Sequence, residues 1–194
     1  MKVVNFHGFG SSHASGTVEM LRRELANDEV VAPDIPVDPV DALPYLKELC
    51  EKEQPDLIVG TSMGGMYAQQ MRGFRRILVN PAFTMSNMSK TLRTGEYQFF
   101  SGRYDGAKTF RITKDIIQHH NQMERQQFKG ITPEEKEMCW CLVGLRDTSV
   151  TNAESLFKKN YLVDHVIRFD GEHQLNDKVI KKVLVPLIEK LRND

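Results

Sequence analysis

The chain has few cysteines and lacks the pattern of a disulfide framework. It contains three cysteines in 194 residues, and Cys139 and Cys141 stand two positions apart in a predicted strand. Side chains at that spacing leave the same face of a strand, with poor geometry for a bridge. No CxxC pair occurs, and no third thiol or histidine lies close enough in sequence to complete a zinc site. We therefore expect buried, reduced thiols in a cytoplasmic protein and no metal.

The sequence also lacks an excess of charge and any long apolar run. Lys plus Arg equals Asp plus Glu at 26 each, so whole-protein charge favours neither nucleic acid nor an anionic membrane as a partner. The longest apolar runs are far too short to span a bilayer. The opening MKVVNFHGFG has neither the apolar core nor the cleavage site of a signal peptide. These absences predict a cytoplasmic protein that binds no nucleic acid and no membrane.

Short apolar strands alternate with helical patterns along the chain. Strands are expected at 2–6, 30–36, 56–60, 75–83, 138–147 and 164–173. Helices are expected at 16–27, 41–53 and 153–159, with a closing helix from 177 that Pro186 should kink or split. This alternation predicts a single α/β domain over 1–194, with three layers: a mostly parallel sheet of about six strands and helices on both faces.

The interval 84–137 breaks this alternation because a crossover needs only about a dozen residues. Its first part is rich in aromatic residues, and its second part, roughly 112–128, is a polar helix. His119 and His120 lie on that helix and are expected at the surface. We expect an inserted cap over the active edge, whose aromatic side chains line an apolar cleft. The alternative is a surface excursion with its own aromatic cluster.

The stretch GTSMGG at 60–65 places Ser62 between small residues directly after an apolar strand. The pattern GxSxG is the sharp strand-to-helix turn that exposes a nucleophilic serine. A serine hydroxyl needs an imidazole to accept its proton, and the imidazole needs a carboxylate to orient it. A helix N-cap is the alternative role for a serine at such a turn.

Asp147 and His173 supply the other two groups, in the chain order Ser, Asp, His. Each follows a predicted strand, and in parallel sheets ligands bind beyond the carboxyl ends of strands. We therefore expect Ser62, Asp147 and His173 to meet at one edge of the sheet. Asp170 competes for the role of the acid, but it lies only three residues before His173, on or near the strand itself.

An acyl-transfer site also needs two backbone N–H groups that bind the developing oxyanion. We assign them to Met63, which directly follows the serine, and to Phe9, which lies between two glycines in the turn after the first strand. His7 is expected to shape this turn through hydrogen bonds. The candidates for the substrate pocket are His7, His13, Phe83, Phe99, Phe100 and Tyr104.

Several motifs together resemble those of the α/β-hydrolase superfamily and, within it, the small bacterial YqiA/YcfP-like esterases. They are HGFGSS at 7–12, APDIP at 32–36, GTSMGG at 60–65, NPA at 80–82, GLRDTSV at 144–150 and GEHQL at 171–175. The resemblance covers nearly the whole chain except the insertion 84–137. It implies a Ser62–Asp147–His173 triad and hydrolysis without a metal or other cofactor.

The expected substrate is a small-to-medium carboxylic ester or thioester, cleaved through an acyl-enzyme. A small acyl compound is thus the expected partner. Two alternatives stay open from the sequence. One is a non-catalytic binding module that retains the fold, and the other is an acyl transferase or peptidase that uses the same serine.

Overall fold

The structure is a computed structural model that describes residues 1–84 and 93–193. Its centre is a parallel sheet of six strands in the order β2-β1-β3-β4-β7-β8. These strands are β1 (Lys2–Phe6), β2 (Glu29–Val31), β3 (Leu57–Thr61), β4 (Arg76–Val79), β7 (Cys139–Gly144) and β8 (Val166–Phe169). A separate antiparallel pair comprises β5 (Gly95–Gln98) and β6 (Thr109–Ile112).

Seven helices accompany the strands in the described residues. They are α1 (Gly16–Glu24), α2 (Pro39–Glu53), α3 (Met63–Ala68), α4 (Lys114–Gln126), α5 (Pro133–Glu137), α6 (Ala153–Asn160) and the closing helix α7. The last of these begins as Asp177–Val179, passes through a π-helical stretch at Ile180–Leu184 and ends as Val185–Asn193. None of the helices in the described part of the chain is long and apolar enough to cross a bilayer.

Helices cover both faces of the sheet, as the alternating pattern predicts. Successive residues of a strand point to opposite faces, so Val4 and Phe6 of β1 enter one core cluster and Val3 enters the other. The first cluster includes residues of α2, α3 and α6. The second includes residues of α1 and α7. The three-layer α/β prediction is therefore confirmed.

The strands are shorter than the apolar runs that predict them. The second strand ends at Val31, because Pro33 and Pro36 cannot donate the hydrogen bonds that would extend the ladder. The last strand covers only Val166–Phe169 and follows a 3₁₀ turn at Val163–His165. Apolar residues beyond the strand ends belong to loops that fold back onto the core.

The closing helix is not divided at Pro186. Its helical turns continue to Asn193, and the π-helical stretch lies directly before the residues around the proline. Proline lacks an N–H and its ring crowds the carbonyl four residues earlier. A wider π turn is one way in which a helix accommodates a local irregularity while keeping its apolar face on the core.

The insertion packs on the loops that follow β1 and β2. The N–H of Phe100 donates to the carbonyl of Gly10 at 2.8 Å, and the hydroxyls of Ser12 and Ser101 lie 2.7 Å apart. Of the predicted cap 84–137, residues 85–92 lie outside the described part of the chain. The described part, Thr84 and 93–137, contains β5, β6, α4 and α5.

All three cysteines are buried and unpaired. Burial raises the pKa of the Cys50 and Cys139 thiols to about 12. Thiols with such a pKa stay protonated at neutral pH and act as small apolar core groups.

Candidate active site

Ser62 lies in a strained turn between β3 and α3. Its backbone has φ 56° and ψ −120°, a region that non-glycine residues rarely adopt and that costs about 1–3 kcal/mol. The Ser62 N–H donates to the carbonyl of Val79 at 2.9 Å, and its carbonyl accepts from the N–H of Ala82 at 3.0 Å. Its side chain makes no capping hydrogen bond to α3. Ser62 therefore occupies the N-cap position of α3, but its hydroxyl does not cap the helix.

Two glycines allow the turn to pack against the sheet. A Cβ atom added to Gly64 would lie 2.0 Å from the carbonyl oxygen of Phe6, and one added to Gly60 would lie 2.4 Å from the carbonyl oxygen of Gly64. Both contacts are with backbone, which cannot move aside cheaply. Glycine at these positions lets α3 approach β1 and β3 closely enough to hold Ser62 at the sheet edge.

His173 bridges Ser62 and Asp147. Its Nε2 atom lies 3.0 Å from the Oγ atom of Ser62, and its Nδ1 atom lies 2.7 Å from the Oδ2 atom of Asp147. A carboxylate only accepts hydrogen bonds, so Nδ1 carries the proton and Nε2 is left to accept the serine hydroxyl. The three groups thus form a continuous row in which Ser62 can lose its proton to His173.

The carboxylate of Asp147 is held firmly in its loop. Its Oδ1 atom accepts the N–H groups of Ser149 and Val150 at 2.7 and 3.1 Å, and its side chain is only 2% exposed. The competing acid, Asp170, instead forms an exposed ion pair with Arg146. Asp147 therefore orients His173, and Asp170 does not.

The turn after β1 lies directly against Ser62. A Cβ atom added to Gly8 would lie 3.4 Å from the Cβ atom of Ser62 and 3.9 Å from its Oγ atom. In the described part of the chain, the N–H groups of Phe9 and Met63 donate to no protein acceptor. Both N–H groups therefore remain available to a ligand at the serine.

His7 fixes the orientation of this turn. The Nδ1 atom of His7 lies 2.8 Å from the carbonyl oxygen of Gly8, and its Nε2 atom accepts the N–H of Ile35 at 3.0 Å. Burial lowers the pKa of His7 to about 4, so the ring is neutral. Because the carbonyl of Gly8 and the N–H of Phe9 belong to one planar peptide and point in opposite directions, the His7 contact sets the direction of the Phe9 N–H.

The predicted pocket residues do not form one lining. His7 uses both ring nitrogens within the scaffold. Phe83 is fully buried and packs edge-to-face on Phe128 at 5.1 Å, so it belongs to the core and its prediction as a pocket residue is wrong. Phe100 is 83% exposed, and Phe99 packs on Phe110 at 4.6 Å.

His13 and Tyr104 connect the insertion to Asp34. Their rings stack with centroids 3.4 Å apart, and the Nδ1 atom of His13 lies 2.9 Å from Asp34. Asp34 also accepts the N–H of Tyr104 at 2.6 Å. Burial alone would raise the pKa of Asp34, but the hydrogen bonds from His13 and Tyr104 hold it below the usual range. These contacts position the insertion beside the site.

Asn80 at this edge is not identified from the sequence, and the prediction that His120 lies at the surface is wrong. Asn80 directly follows β4, and its side chain bonds to the backbone of the loop that carries His173. The available signal was a polar residue at a strand end on the edge that also holds Ser62. His120, predicted at the surface, is buried and lies edge-to-face with Phe9 at 6.4 Å.

Among residues 1–84 and 93–193, no group of three or more His, Cys, Asp or Glu side chains is arranged to hold a metal ion.

The parallel sheet, the strained serine turn and the covering helices define the α/β-hydrolase fold, and solved structures agree. Est1E from Butyrivibrio proteoclasticus is similar at 13% identity with a TM-score of 0.72, covering 100% of this chain and 88% of that chain. Alpha/beta hydrolase domain-containing protein 10 from mouse is similar at 15% identity with a TM-score of 0.69, covering 98% of this chain and 90% of that chain. The esterase domain of a Rhodothermus marinus protein is similar at 17% identity with a TM-score of 0.66, covering 97% of this chain and 86% of that chain.

The chain belongs to the uncharacterised protein family UPF0227, whose model matches residues 2–188. This is the YqiA/YcfP family that the sequence motifs resemble. A search of curated proteins finds no match.

Proposed function

We propose that the protein is a serine hydrolase that cleaves a small-to-medium carboxylic ester or thioester through an acyl-enzyme. The observation that carries the proposal is the row Ser62–His173–Asp147, joined at 3.0 and 2.7 Å. A hydroxyl, an imidazole and a carboxylate at these distances provide a nucleophile, a base and a group that orients the base. The name of one similar structure, the esterase domain of a Rhodothermus marinus protein, adds support.

In the first half of the reaction, the Oγ atom of Ser62 attacks the carbonyl carbon of the substrate. His173 takes the hydroxyl proton at Nε2, and Asp147 stabilises the imidazolium that forms. The N–H groups of Phe9 and Met63 bind the oxyanion of the tetrahedral intermediate. The bond to the leaving alcohol or thiol then breaks, and the leaving group takes the proton from His173.

In the second half, water replaces the leaving group. His173 removes a proton from the water, whose oxygen attacks the acyl carbon of the ester at Ser62. The same two N–H groups bind the second oxyanion. When this intermediate collapses, Ser62 recovers its proton from His173 and the carboxylic acid leaves. Each oxyanion donor contributes about 10²–10³-fold in rate in hydrolases of this type.

A fluorophosphonate probe tests the nucleophile. We expect the wild-type protein to be labelled at Ser62, and Ser62→Ala to be unlabelled because the attacking oxygen is gone. Asp147→Ala should be labelled much more slowly, and loss of a triad carboxylate lowers turnover on the order of 10⁴-fold. Labelling is measured by intact-protein mass spectrometry.

The matched control is Ser155→Ala, which removes a serine from the exposed surface of α6 and should be labelled like the wild type. An unreactive wild-type protein, or equal labelling of Ser62→Ala, would contradict the proposal. A panel of p-nitrophenyl esters and acyl-CoA thioesters then identifies the acyl length. Product analysis with added alcohols or amines distinguishes hydrolysis from acyl transfer.

A further inference from the structure

Asn80 occupies a central position at the carboxyl edge of the sheet. It directly follows β4, which pairs with β3 on one side and β7 on the other. The residue is 1% exposed, and its N–H donates to the carbonyl of Leu142 at 2.9 Å. Its φ of 43° is left-handed, a conformation in which asparagine is enriched among non-glycine residues. The backbone therefore turns sharply at this point.

The side chain of Asn80 reaches across β7 to the loop that follows β8. Its Nδ2 atom donates to the carbonyl oxygens of Glu172 and His173, both at 3.0 Å. Its Oδ1 atom accepts the N–H of Gly144 at 2.7 Å. Both amide hydrogens and the amide oxygen are thus used, and two of these bonds hold the backbone that carries the imidazole.

The same loop also packs closely against the end of β7. A Cβ atom added to Gly144 would lie 2.8 Å from the carbonyl oxygens of Gly171 and Glu172, and the N–H of Arg146 donates to Gly171 at 2.9 Å. The loop is therefore held between the backbone of β7 and the amide of Asn80. The amide of Asn80 supplies the hydrogen-bond donors to the carbonyls of Glu172 and His173 in this loop.

We propose that Asn80 is the positioning residue for His173, an inference that rests on the proposed function. It fixes the carbonyl of His173 itself, so the Cα atom and the imidazole of His173 can take only a small range of positions relative to Ser62. A displacement of about 1 Å in a catalytic group can cost on the order of 10²-fold in rate. Asn80 acts through His173 and does not touch the reacting atoms.

Asn80→Asp is the most informative variant because it changes the chemistry and keeps the shape. Aspartate also tolerates the left-handed conformation, and a carboxylate oxygen can still accept the N–H of Gly144. The ionised carboxylate has no hydrogen to donate, so it cannot replace the two bonds to the carbonyls of Glu172 and His173. The loop should therefore move away from Asn80, and the bond from His173 to Ser62 should lengthen.

Two measurements test the inference. The first is the reactivity of Ser62, followed by the rate of fluorophosphonate labelling and by the kinetics of ester hydrolysis. For ester hydrolysis we expect kcat to fall on the order of 10²-fold with little change in KM. The second is the NMR signal of the His173 Nδ1–H shared with Asp147, assigned by its absence from His173→Gln. We expect Asn80→Asp to shift or lose this signal. Asn80→Ala removes the donor without adding a charge and replaces Asn80→Asp if the latter does not fold.

The matched control is Asn5→Ala. Asn5 is also 1% exposed on a central strand, and its Nδ2 atom donates to the carbonyl of Val59 at 3.3 Å, away from the loop of His173. Asn5→Ala should lower the free energy of unfolding and leave the labelling rate and the NMR signal of His173 unchanged. If the loss of any buried amide slowed labelling and changed the His173 signal, both Asn5→Ala and the Asn80 variant would show these changes.

The outcomes separate the two proposals. If the wild type reacts with the probe and the Asn80 variants keep its kcat and its His173 signal, the positioning role is overturned and the proposed function stands. If the wild type does not react, the proposed function fails. The NMR signal then still decides whether Asn80 holds the ring of His173, because it needs no turnover.

Discussion

At the scale of single residues, backbone hydrogen bonds hold the serine turn in place, and neighbouring glycines leave room for it. Ser62 keeps its unfavourable φ of 56° because its N–H and carbonyl are both bonded to the β4 end, through Val79 and Ala82. Bonds on both sides of a strained residue restrict its relaxation. The glycines at 60 and 64 remove the atoms that would push the turn away from the sheet.

We predict that Gly64→Ala destabilises the fold by about 3 kcal/mol or more. The added Cβ atom would lie 2.0 Å from the carbonyl oxygen of Phe6, and overpacking against a buried backbone costs on this scale. Urea unfolding measures the change. Residual folded protein should also react more slowly with a fluorophosphonate, because α3 must shift and Ser62 with it.

Gly16→Ala is the control for this prediction. Gly16 likewise lies in the first turn of a helix, but a Cβ atom there would meet nothing within 4 Å. Alanine is the better helix former, so stability should stay the same or rise by up to about 1 kcal/mol. Equal stability of Gly64→Ala and the wild type would contradict the close packing of α3 on β1.

At the scale of elements, two histidine–aspartate pairs fasten the insertion to the sheet domain. In the first pair, His13 bonds to Asp34, which also accepts the N–H of Tyr104 from the insertion. In the second pair, the Nδ1 atom of His119 in α4 lies 2.9 Å from Asp38, the N-cap residue of α2. Each pair therefore holds a different part of the insertion.

Within the insertion, we predict that Asp34→Ala loosens only the segment around Tyr104. A hydrogen bond to a charged acceptor contributes about 1.5–3 kcal/mol, so protection of the Tyr104 amide from hydrogen exchange should fall about tenfold or more. Amide exchange followed by NMR reports this residue directly.

Asp38→Ala is the matched variant, since it removes the other carboxylate. It should expose the Val40 amide, which Asp38 caps at 3.1 Å, and cost about 1 kcal/mol for the lost cap. Protection at Tyr104 should stay at the wild-type level. If both variants changed the Tyr104 amide equally, the insertion would be held as one unit and the separate fastening would be wrong.

The elements and the order of functional groups follow from local sequence, whereas the surroundings of the site do not. Apolar runs and strand ends are sufficient to predict the parallel sheet and the positions of Ser62, Asp147 and His173 along it. The burial of Phe83 and of His120 does not follow from local sequence, because it depends on Phe128 and on Phe9 respectively, which contact them only in the folded chain. Asn80 was missed for the same reason: its partners lie more than 60 residues away.

At the scale of the whole molecule, two histidines are buried on the carboxyl side of the sheet. Burial lowers the pKa of His7 and of His120 to about 4 in each case. Arg103 and His13 oppose a charge on His7, and Asp34 favours one. For His120, Asp38 favours the charge and His119 opposes it. Both rings are therefore neutral in the folded protein at neutral pH.

We predict that the free energy of unfolding falls as the pH is lowered from about 6.5 to 4. In this window the unfolded histidines, with a pKa of about 6.5, bind protons that the folded ones do not, so acid favours the unfolded chain by up to about 3 kcal/mol for each ring. Urea unfolding at several pH values measures the slope. His120→Leu removes one titrating ring and should flatten the curve between pH 6.5 and 4. Parallel curves for this variant and the wild type would mean that His120 is protonated in the folded protein.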